Sequence, residues 1–585
     1  MIARTFAPLL LFPLVLFPPA LAAQPAVNTQ MIYGELRAIV LHAADFTQVT
    51  DDSPAQPGES LILQGSGFGA DVQVMVGATA AATTQIDGGD AQFTLPAGAG
   101  GGFLGIAVVS GGEISNLASM PSAAAADATQ LASSEVQSLV LATAAIAAGD
   151  GMAIVVVDRA GNPLAIYTRA SAATSDIEKA LSLARTGAFF SNQQTPLSSR
   201  TVEFISRVNF PPATPNQPSG PLYGIENTNR GCSLNATYLP GQTAPPSLAS
   251  DGVSYSRGIA NVPGGLALFR NGVTVIGGIG VAGLGSDDLD EYVAALGSAT
   301  AGFFVALPLP APGAVYLNGF QLPFIDDVAA NRLGPPPAGL QAASAPGGSF
   351  QFPPRNGSAV PTGWLVGPLN GSQLSASDVN GIVQNAIATA METRGAIRLP
   401  EGTPAEMTIA VSDLDGTLLG LYRMTDATVF SIDVAVAKSR NVVYFSGPSR
   451  DPRDLPGVPS GTAVTNRTIG FGAQIYFPSG ILKTQSGPFY AMYLNDLANP
   501  CTQGNQPPNP NQSGIVFFPG SAPLYRSGTM VGGLGVSGDG VDQDDFVTSA
   551  GAAGFDAPLA IQASQIVIRS VRLPYWSFPR NPLIQ

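Results

Sequence analysis

Histidine chemistry is almost absent from this chain of 585 residues, which contains a single histidine, His42, near its amino-terminal end. Catalytic serines and cysteines are normally activated by a histidine, and many zinc sites use histidine ligands. The domains that follow His42 therefore lack a histidine-based triad, and carboxylates, tyrosines, lysines and backbone amides remain. His42 itself is interpreted as a strand residue rather than a metal or haem ligand, because single histidines are mostly structural.

A glycine-rich motif, Gly278-x-Gly280-x-x-Gly283, lies between an apolar run and the acidic residues Asp287 and Asp288. A dinucleotide-binding loop would need these glycines between a first parallel strand and its crossover helix. Here they end the second arm of a predicted antiparallel hairpin, and the following acids would repel a pyrophosphate. The glycines are therefore predicted to let a strand and a helix approach closely.

Two acidic clusters could be calcium sites, since close carboxylates are calcium ligands. The spacing of an EF-hand is absent from both clusters. Acids at the start of a helix are favoured by the helix dipole, so helix capping is the preferred interpretation. The clusters are Asp287, Asp288, Asp290 and Glu291, and Asp539, Asp542, Asp544 and Asp545.

The amino-terminal segment 1–23 has a basic start, an apolar run and small residues, which is the layout of a signal peptide. We therefore expect a periplasmic or extracellular protein, and no later segment is apolar for long enough to suggest membrane insertion. The formal net charge of -14 argues against a nucleic-acid partner.

Residues 32–121 read as short alternating strands with glycine turns, which predicts an all-β sandwich. The pieces "LILQGSGFG", "VQVMVGATA", "AQFTLPAGAGG" and "IAVVSGGEISN" resemble the IPT/TIG immunoglobulin-like family. This resemblance implies a spacer or adhesion module without catalysis.

The rest of the chain contains an internal duplication. "VVVDRAGNPLAIYTR" (155–169) matches "IAVSDLDGTLLGLYR" (409–423) at a constant offset of 255 residues, and the register continues through the next helix-like segment. The predicted domains are repeat 1 (131–326), a proline- and glycine-rich connector (327–373) and repeat 2 (374–577). Each repeat reads as helix, β-hairpin, helix, long irregular insertion, β-hairpin and helix, an α+β order built on an antiparallel sheet.

Each repeat carries one cysteine at nearly the same place after a "GPLY" or "GPFY" motif. An even count in an exported protein predicts a disulfide bond between Cys232 and Cys501, with two free thiols as the alternative.

Both repeats resemble the HbpS/GlcG-like family, whose domain also ends PduO-type proteins. The matching positions are Asp158, Gly161, Arg169, Lys179, Pro263–Gly265 and Gly278–Gly283 in repeat 1, and Asp413, Gly416, Arg423, Pro519–Gly520 and Gly533–Gly538 in repeat 2. The resemblance implies a profilin-like α+β fold, self-association, and haem or another tetrapyrrole as the ligand. Two departures stand out. Repeat 2 has Val434 where repeat 1 has Lys179, and Gly520–Ser521 where repeat 1 has Gly264–Gly265. Both repeats also carry a long insertion that could cover or replace a pocket.

The ligand-binding candidates follow from that resemblance. Haem iron is normally held by histidine, cysteine, methionine or tyrosine, and propionates pair with cations. The candidates are Tyr167, Arg169, Lys179 and Arg185 in repeat 1 and Tyr422, Arg423 and Arg440 in repeat 2, with Tyr223, Tyr490 and Lys438 as further options. The alternative is that these tyrosines are packing residues and the cations lie on solvated helix faces.

The sequence therefore predicts an exported binding protein for haem or a related tetrapyrrole, in which the two repeats form an internal pseudo-dimer. The alternative is a structural or adhesive cell-envelope protein whose repeats have lost ligand binding. No catalytic residues are predicted and no metal is assigned; haem breakdown is implied only by the family resemblance.

Overall fold

The computed structural model describes residues 24–32, 35–50, 53–76, 79–97, 99, 102–116, 118–123, 129–234, 258–270, 272, 274–305, 315–326, 337–341, 343 and 347–584. The predicted signal peptide, residues 1–23, lies outside them. The chain divides into two compact units, Met1–Ala124 and Ala125–Gln585. Among the described helices, none is both long and apolar enough to cross a membrane.

The first unit is all-β in its described part, as predicted. Its strands are β1 (Ala26–Val27), β2 (Thr29–Ile32), β3 (Glu35–Ala38), β4 (Val40–His42), β5 (Ser60–Ser66), β6 (Gln73–Val76), β7 (Thr79–Ala80), β8 (Ala82–Gln85), β9 (Asp90–Thr94), β10 (Gly102–Ser110), β11 (Glu113–Ile114) and β12 (Ala118–Ser122). One sheet has the order β1-β5-β9-β8 with β4 beside β5, and the other has the order β2-β3-β12-β10-β6-β7 with β11 beside β10. Leu61 and Phe93 of the first sheet share one apolar cluster with Val74 and Ile106 of the second.

His42 is a strand residue, as the sequence indicated. Its Nδ1 lies 2.6 Å from a carboxylate oxygen of Glu59, and its Nε2 lies 3.1 Å from the carbonyl oxygen of Ser53. These two contacts explain why a histidine is accommodated in this small domain. The immunoglobulin-like assignment of the unit stays a prediction.

The first part of the second unit contains repeat 1. Its elements are α1 (Ser133–Ala144), β13 (Ala153–Asp158), β14 (Pro163–Thr168), α2 (Thr174–Phe190), α3 (Ser199–Ser206), β15 (Gly265–Arg270), β16 (Thr274–Ala282), α4 (Asp287–Thr300), β17 (Tyr316–Leu317), β18 (Phe320–Gln321) and, in the connector, β19 (Ser349–Phe352).

Repeat 2 has the same order of main elements. They are β20 (Gly363–Val366) in the connector, then α5 (Ala376–Glu392), β21 (Met407–Ser412), β22 (Leu418–Arg423), α6 (Phe430–Ser446), α7 (Asn466–Gly472), α8 (Tyr490–Ala498), β23 (Ser521–Arg526), β24 (Thr529–Gly538), α9 (Val541–Gly551), β25 (Val567–Ile568) and β26 (Val571–Arg572). The α+β prediction is confirmed for both repeats.

Each repeat is built on a five-stranded antiparallel sheet. The orders are β15-β16-β13-β14-β19 in repeat 1 and β20-β22-β21-β24-β23 in repeat 2. β16 is antiparallel to both of its neighbours, so the glycine motif does not join parallel strands. A dinucleotide-binding fold is thereby excluded, because that fold requires parallel strands at this point.

The glycines bring strand and helix backbones together, as predicted. A Cβ on Gly280 would lie 2.0 Å from the carbonyl oxygen of Ala180 in α2, and one on Gly535 would lie 2.1 Å from that of Ala435 in α6. Any larger residue would push the central helix off its sheet, because protein interiors have no spare volume.

The connector is less irregular than its composition suggests. β19 pairs with β14 and β20 pairs with β22, so this one segment supplies an edge strand to each sheet. The pairing is set by distant partners, which explains why proline- and glycine-rich composition alone did not reveal these strands.

The central helices of the two repeats meet where α2 ends and α6 begins. One apolar cluster contains Ala180 and Ala184 of α2 together with Val434 and Ala435 of α6. The ring of Phe190 is stacked on that of Phe430 at a centroid distance of 4.2 Å. The two repeats therefore share a core within the second unit.

Candidate functional site

A cleft of about 610 Å³ opens in repeat 2 beside the turn that joins β21 to β22. Its walls come from that turn (414–416), the carboxyl-terminal half of α6, residues 503–511 and the turn between β23 and β24 (528–530). The volume falls in the range of small-molecule binding sites, about 300–1,000 Å³. We refer to this space as the cleft.

Arg440 of α6 lines the cleft and is almost completely buried. Its Nε donates to the carbonyl oxygen of Gly416 at 2.9 Å, and its Nη1 donates to the carbonyl oxygen of Ser233 at 2.7 Å and to the hydroxyl of Ser513. Among the described residues, its Nη2 has no hydrogen-bond partner. Burial lowers the pKa of Arg440 to about 10, which still leaves it a cation at neutral pH. A cleft-lining guanidinium thus retains a donor without an acceptor.

One wall of the cleft consists of side-chain amides. Asn441 donates to Gln503 at 2.6 Å, and Gln503 donates to Gln506 at 2.8 Å. On the other side, Asn511 donates to the carbonyl oxygen of Asp415 at 3.0 Å. These bonds hold residues 503–511 against α6 and the β21–β22 turn.

The aromatic and sulfur-containing part of the lining comprises Tyr444, Tyr525 and Met530. Tyr444 donates to the carboxylate of Asp454 at 2.6 Å, and burial together with that carboxylate raises the pKa of Tyr444. Burial also raises the pKa of Tyr525 to about 12. Both phenols are therefore protonated at neutral pH.

The equivalent turn of repeat 1 is packed differently in its described part. Gly161 stands where repeat 2 has Gly416, and a Cβ on it would lie 2.4 Å from the ring of Phe189. The neighbouring Arg159 is buried and donates to the carbonyl oxygen of Ser191 at 2.7 Å, whereas its counterpart Leu414 is 37% exposed. A different packing of the same turn separates the two repeats here.

The two tyrosines predicted as iron ligands lie under the edge strands. Tyr167 meets Phe350 of β19 edge-on at 5.6 Å, and Tyr422 meets Trp364 of β20 edge-on at 5.4 Å. Burial raises the pKa of Tyr167, which disfavours its phenolate form. The structure gives both tyrosines a packing role, and ligand binding by either stays a prediction.

The other two tyrosine options stack at the contact between the repeats. The rings of Tyr223 and Tyr490 lie 5.3 and 5.7 Å from that of Tyr493. Tyr493 also donates to Glu226 of repeat 1. Tyr223 of repeat 1 thus contacts Tyr493 of repeat 2, and the three rings form part of the contact between the repeats.

Three of the predicted cations bind backbone carbonyls near their own hairpins. Arg169 donates to Ala144 at 2.8 Å at the end of α1, and Arg185 donates to Gly161 at 3.1 Å. Arg423 donates to Ala427. Of the seven predicted ligand-binding residues, Arg440 belongs to the described lining of the cleft, and the structure does not bring the other six to it.

Repeat 2 has Val434 where repeat 1 has Lys179, and it carries its lysine one helical turn later. Lys179 lies 3.6 Å from Asp290 in repeat 1. In repeat 2 Val434 is buried in the inter-repeat cluster, and Lys438, one turn later, lies 3.0 Å from Asp544. Both repeats therefore retain a lysine–aspartate pair between central and final helices.

The acidic clusters form ion pairs rather than a metal site. Arg200 binds Asp288 and Glu291, and Arg467 binds Asp542 and Asp545. Within the described ranges, no group of three histidine, cysteine, aspartate or glutamate side chains is placed to hold a metal ion.

Polar and covalent contacts join the two repeats near the cleft. Cys232 and Cys501 form a disulfide bond. Arg230 lies 2.8 Å from the buried carboxylate of Asp496, and the backbone N–H of Asn229 donates to Asp433 at 2.7 Å. Burial raises the pKa of Asp433 and that of Asp496 to about 6.

Sequence reasoning missed most of the cleft lining. Gln503, Gln506 and Asn511 lie in "TQGNQPPNPNQSG", whose repeated amides were the available signal. Tyr444, Tyr525 and Met530 carried no distinctive motif, because aromatic and sulfur-containing residues in helices and strands usually reflect packing.

Comparisons with known proteins follow the repeat boundaries. A family model described as "Haem degrading protein HbpS-like" matches residues 131–299 and 374–553. No curated protein matches the chain. The solved structures similar to it include ORFY from Klebsiella pneumoniae, with 19% identity over 32% of this chain and 96% of that chain and a TM-score of 0.21.

Two further solved structures are similar to part of the chain. A PduOC–haem complex has 19% identity over 32% of this chain and 96% of that chain, with a TM-score of 0.20. A double mutant of HbpS from Streptomyces reticuli has 21% identity over 34% of this chain and 97% of that chain, with a TM-score of 0.19.

Proposed function

The chain belongs to the HbpS-like family, and we propose that it is an exported binding protein for haem or a related tetrapyrrole, with the cleft of repeat 2 as its binding site. The observation that carries the proposal is the cleft itself, together with Arg440 in its lining, whose buried Nη2 has no hydrogen-bond partner among the described residues. A buried cation with a free donor favours an anionic ligand, because such a group is costly to leave unsatisfied.

The cleft suits a flat ligand with a carboxylate. Val443, Met530 and Ile561 supply apolar surface, and Gln503 supplies hydrogen-bonding groups at the opposite wall. A propionate would bind Arg440 through a charge-assisted hydrogen bond, which is roughly twice as strong as a neutral one. Size, apolar lining and cation together fit a tetrapyrrole.

Met530 and Tyr525 are the lining residues whose atoms could bind an iron centre. Tyr444 is less suited, because its hydroxyl already donates to Asp454. Bound haem would supply that iron centre and an extended aromatic ring. The residues of the chain would bind the ring edge and the carboxylate, and would exclude water from the inner wall.

The two repeats would act as an internal pseudo-dimer. The shared apolar cluster, the Phe190–Phe430 stack and the Cys232–Cys501 bond support this arrangement. Two copies of a self-associating module in one chain dock at high effective concentration. Repeat 1 would then serve as the non-binding partner.

The proposed function also includes export of the chain and a spacer role for its amino-terminal unit. The basic and apolar pattern of residues 1–23 supports export to the periplasm or the exterior, and the disulfide bond suits an oxidising compartment. The all-β unit would be an IPT/TIG-like spacer.

Titration of the purified mature protein with haemin tests the function. We expect a shifted Soret band that saturates at one haemin per chain, since the cleft lies in repeat 2. Haemin titrated into the same buffer without the protein sets the baseline. Absence of a shift at micromolar haemin would favour the alternative of a structural or adhesive envelope protein.

A further inference from the structure

One of the three acceptors that hold the Arg440 guanidinium comes from the other repeat, and the other two, Gly416 and Ser513, belong to repeat 2. The Nη1 of Arg440 donates at 2.7 Å to the carbonyl oxygen of Ser233, a residue of repeat 1. Ser233 follows Cys232, whose sulfur is bonded to Cys501. The guanidinium that would bind a carboxylate is therefore oriented in part by a segment that lies outside repeat 2.

The same disulfide bond ends at the amide wall of the cleft. Gln503 lies two residues after Cys501 and binds both Asn441 and Gln506. Cys501 has a φ of 62°, a left-handed conformation that costs a residue other than glycine some free energy. The wall thus begins at a residue whose backbone conformation is imposed by its surroundings.

Other contacts keep the two segments together without the disulfide bond. Arg230 donates to both the carbonyl oxygen and the carboxylate of Asp496, at 2.6 and 2.8 Å. Asn227 donates to the same carboxylate at 2.8 Å. We therefore expect the docked repeats to survive loss of the disulfide bond, with residues 232–233 less firmly held.

We propose that Cys232 and Ser233 of repeat 1 are positioning residues for Arg440, so that the carboxylate-binding part of the cleft is complete only when repeat 1 is docked and cross-linked to repeat 2. This inference rests on the proposed function. Its physical basis is preorganisation: a guanidinium held in one orientation binds a carboxylate without first losing side-chain freedom.

Selectivity for a carboxylate is the property that this positioning controls. Haemin has free propionates and haemin dimethyl ester does not, so the ratio of their dissociation constants reports on recognition of the carboxylates. We expect the wild-type protein to prefer haemin by about tenfold, the worth of one hydrogen bond to a charged group. The doubly substituted variant Cys232→Ser, Cys501→Ser should bind both compounds with nearly equal affinity.

The matched control removes an inter-repeat contact that does not touch the cleft. Asn209 donates to the carbonyl oxygen of Gly480 at 3.1 Å, and Asn209→Ala removes that bond. This variant should keep the wild-type preference for haemin. Thermal unfolding of each protein checks that the repeats are folded.

A second measurement does not depend on haemin. Modification of Arg440 by phenylglyoxal, followed by mass spectrometry, reports how firmly the guanidinium is held. Arg440 should react slowly in the wild type and in Asn209→Ala, and several-fold faster in the double-serine variant.

The two measurements separate the possible failures. If the wild type binds haemin, a retained tenfold preference in the double-serine variant overturns the inference, as does unchanged protection of Arg440. If the wild type does not bind haemin, the proposed function fails, and the protection of Arg440 alone decides whether repeat 1 positions this side chain.

Discussion

Repeat 1 and repeat 2 have the same elements in the same order but differ beside the first hairpin turn. In repeat 1 the ring of Phe189 packs on Gly161 and Arg159 turns inward. In repeat 2 the corresponding Tyr444 bonds to Asp454, and the exposed Leu414 lines a cleft of about 610 Å³. Two copies of a duplicated fold can thus differ beside the same turn, because a few side chains decide how that turn is packed.

The close approach of the sheet to the central helix is common to both repeats, and we expect it to be equally sensitive to substitution in each. Gly280→Val and Gly535→Val place a side chain where a Cβ would already lie 2.0 or 2.1 Å from a helix carbonyl oxygen. Each should destabilise the second unit by about 3–5 kcal/mol, since the nearest atoms belong to the backbone and not to a flexible side chain. Chemical denaturation measures the loss.

Gly381→Val is the control for that experiment, because a Cβ at Gly381 in α5 would meet nothing within 4 Å. Its effect should stay below about 1 kcal/mol. Equal effects at all three positions would mean that close helix–sheet approach is not what the glycines provide.

The lysine–aspartate pair should contribute more to stability in repeat 2 than in repeat 1. Lys438→Met leaves the fully buried Asp544 without its partner, which should cost about 3–5 kcal/mol. Lys179→Met also leaves a buried carboxylate, that of Asp290, but should cost less, because Lys179 is 13% exposed and lies 3.6 Å from Asp290, whereas Lys438 is fully buried and lies 3.0 Å from Asp544. Because burial raises the pKa of Asp544 to about 7, the loss for Lys438→Met should be smaller at pH 5 than at pH 8, as urea unfolding at both pH values would show. A loss that is independent of pH would contradict this.

The difference between the repeats is tested directly by their equivalent arginines. Arg440→Met should weaken haemin binding by about 10- to 100-fold, because it removes a charge-assisted hydrogen bond. Arg185→Met removes the same charge from the equivalent position of repeat 1. It should lower the unfolding temperature with little change in the dissociation constant of haemin. Spectroscopic titration measures both, and Arg526→Met, on the surface of repeat 2, controls for net charge. Equal weakening by the two arginine variants would place a site in each repeat.

The contact between the repeats should be more stable in acid. Burial raises the pKa of Asp433 to about 6, above the usual value of 3.8, so its stabilising contribution is complete below pH 3.8 and is lost as the pH rises to about 6. Asp433→Asn removes this proton uptake. The variant should therefore lose less stability than the wild type between pH 4 and pH 7, by on the order of 1–3 kcal/mol. Denaturation at several pH values measures this, and parallel curves would rule out Asp433 as a source of the pH dependence.

The smallest effects are expected under the edge strands. Tyr167→Phe and Tyr422→Phe should leave the haemin spectrum unchanged, because neither ring belongs to the described lining of the cleft. A changed spectrum in either variant would move the iron site from the cleft to the edge of a sheet.

Much of the fold followed from local pattern. The hairpin around Asp158 and Gly161, the helix that became α2 and the acidic helix that became α4 all lie where periodicity and turn residues predicted them. The candidate site followed less well. Arg440 was predicted because it is a cation that could pair with a propionate. The other residues that line the cleft come from separate segments without a common motif.

The sequence by itself determined the duplication, the order of the elements, the antiparallel hairpins and the glycine positions that bring helix to sheet, because each depends on residues close together in the chain. Tertiary structure alone decided that connector strands complete both sheets, that Ser233 contacts Arg440, and that Phe189 packs on the turn glycine of repeat 1 whereas Asn511 packs on that of repeat 2. These outcomes depend on which distant side chains compete for one volume, and that competition is settled only when the whole unit packs.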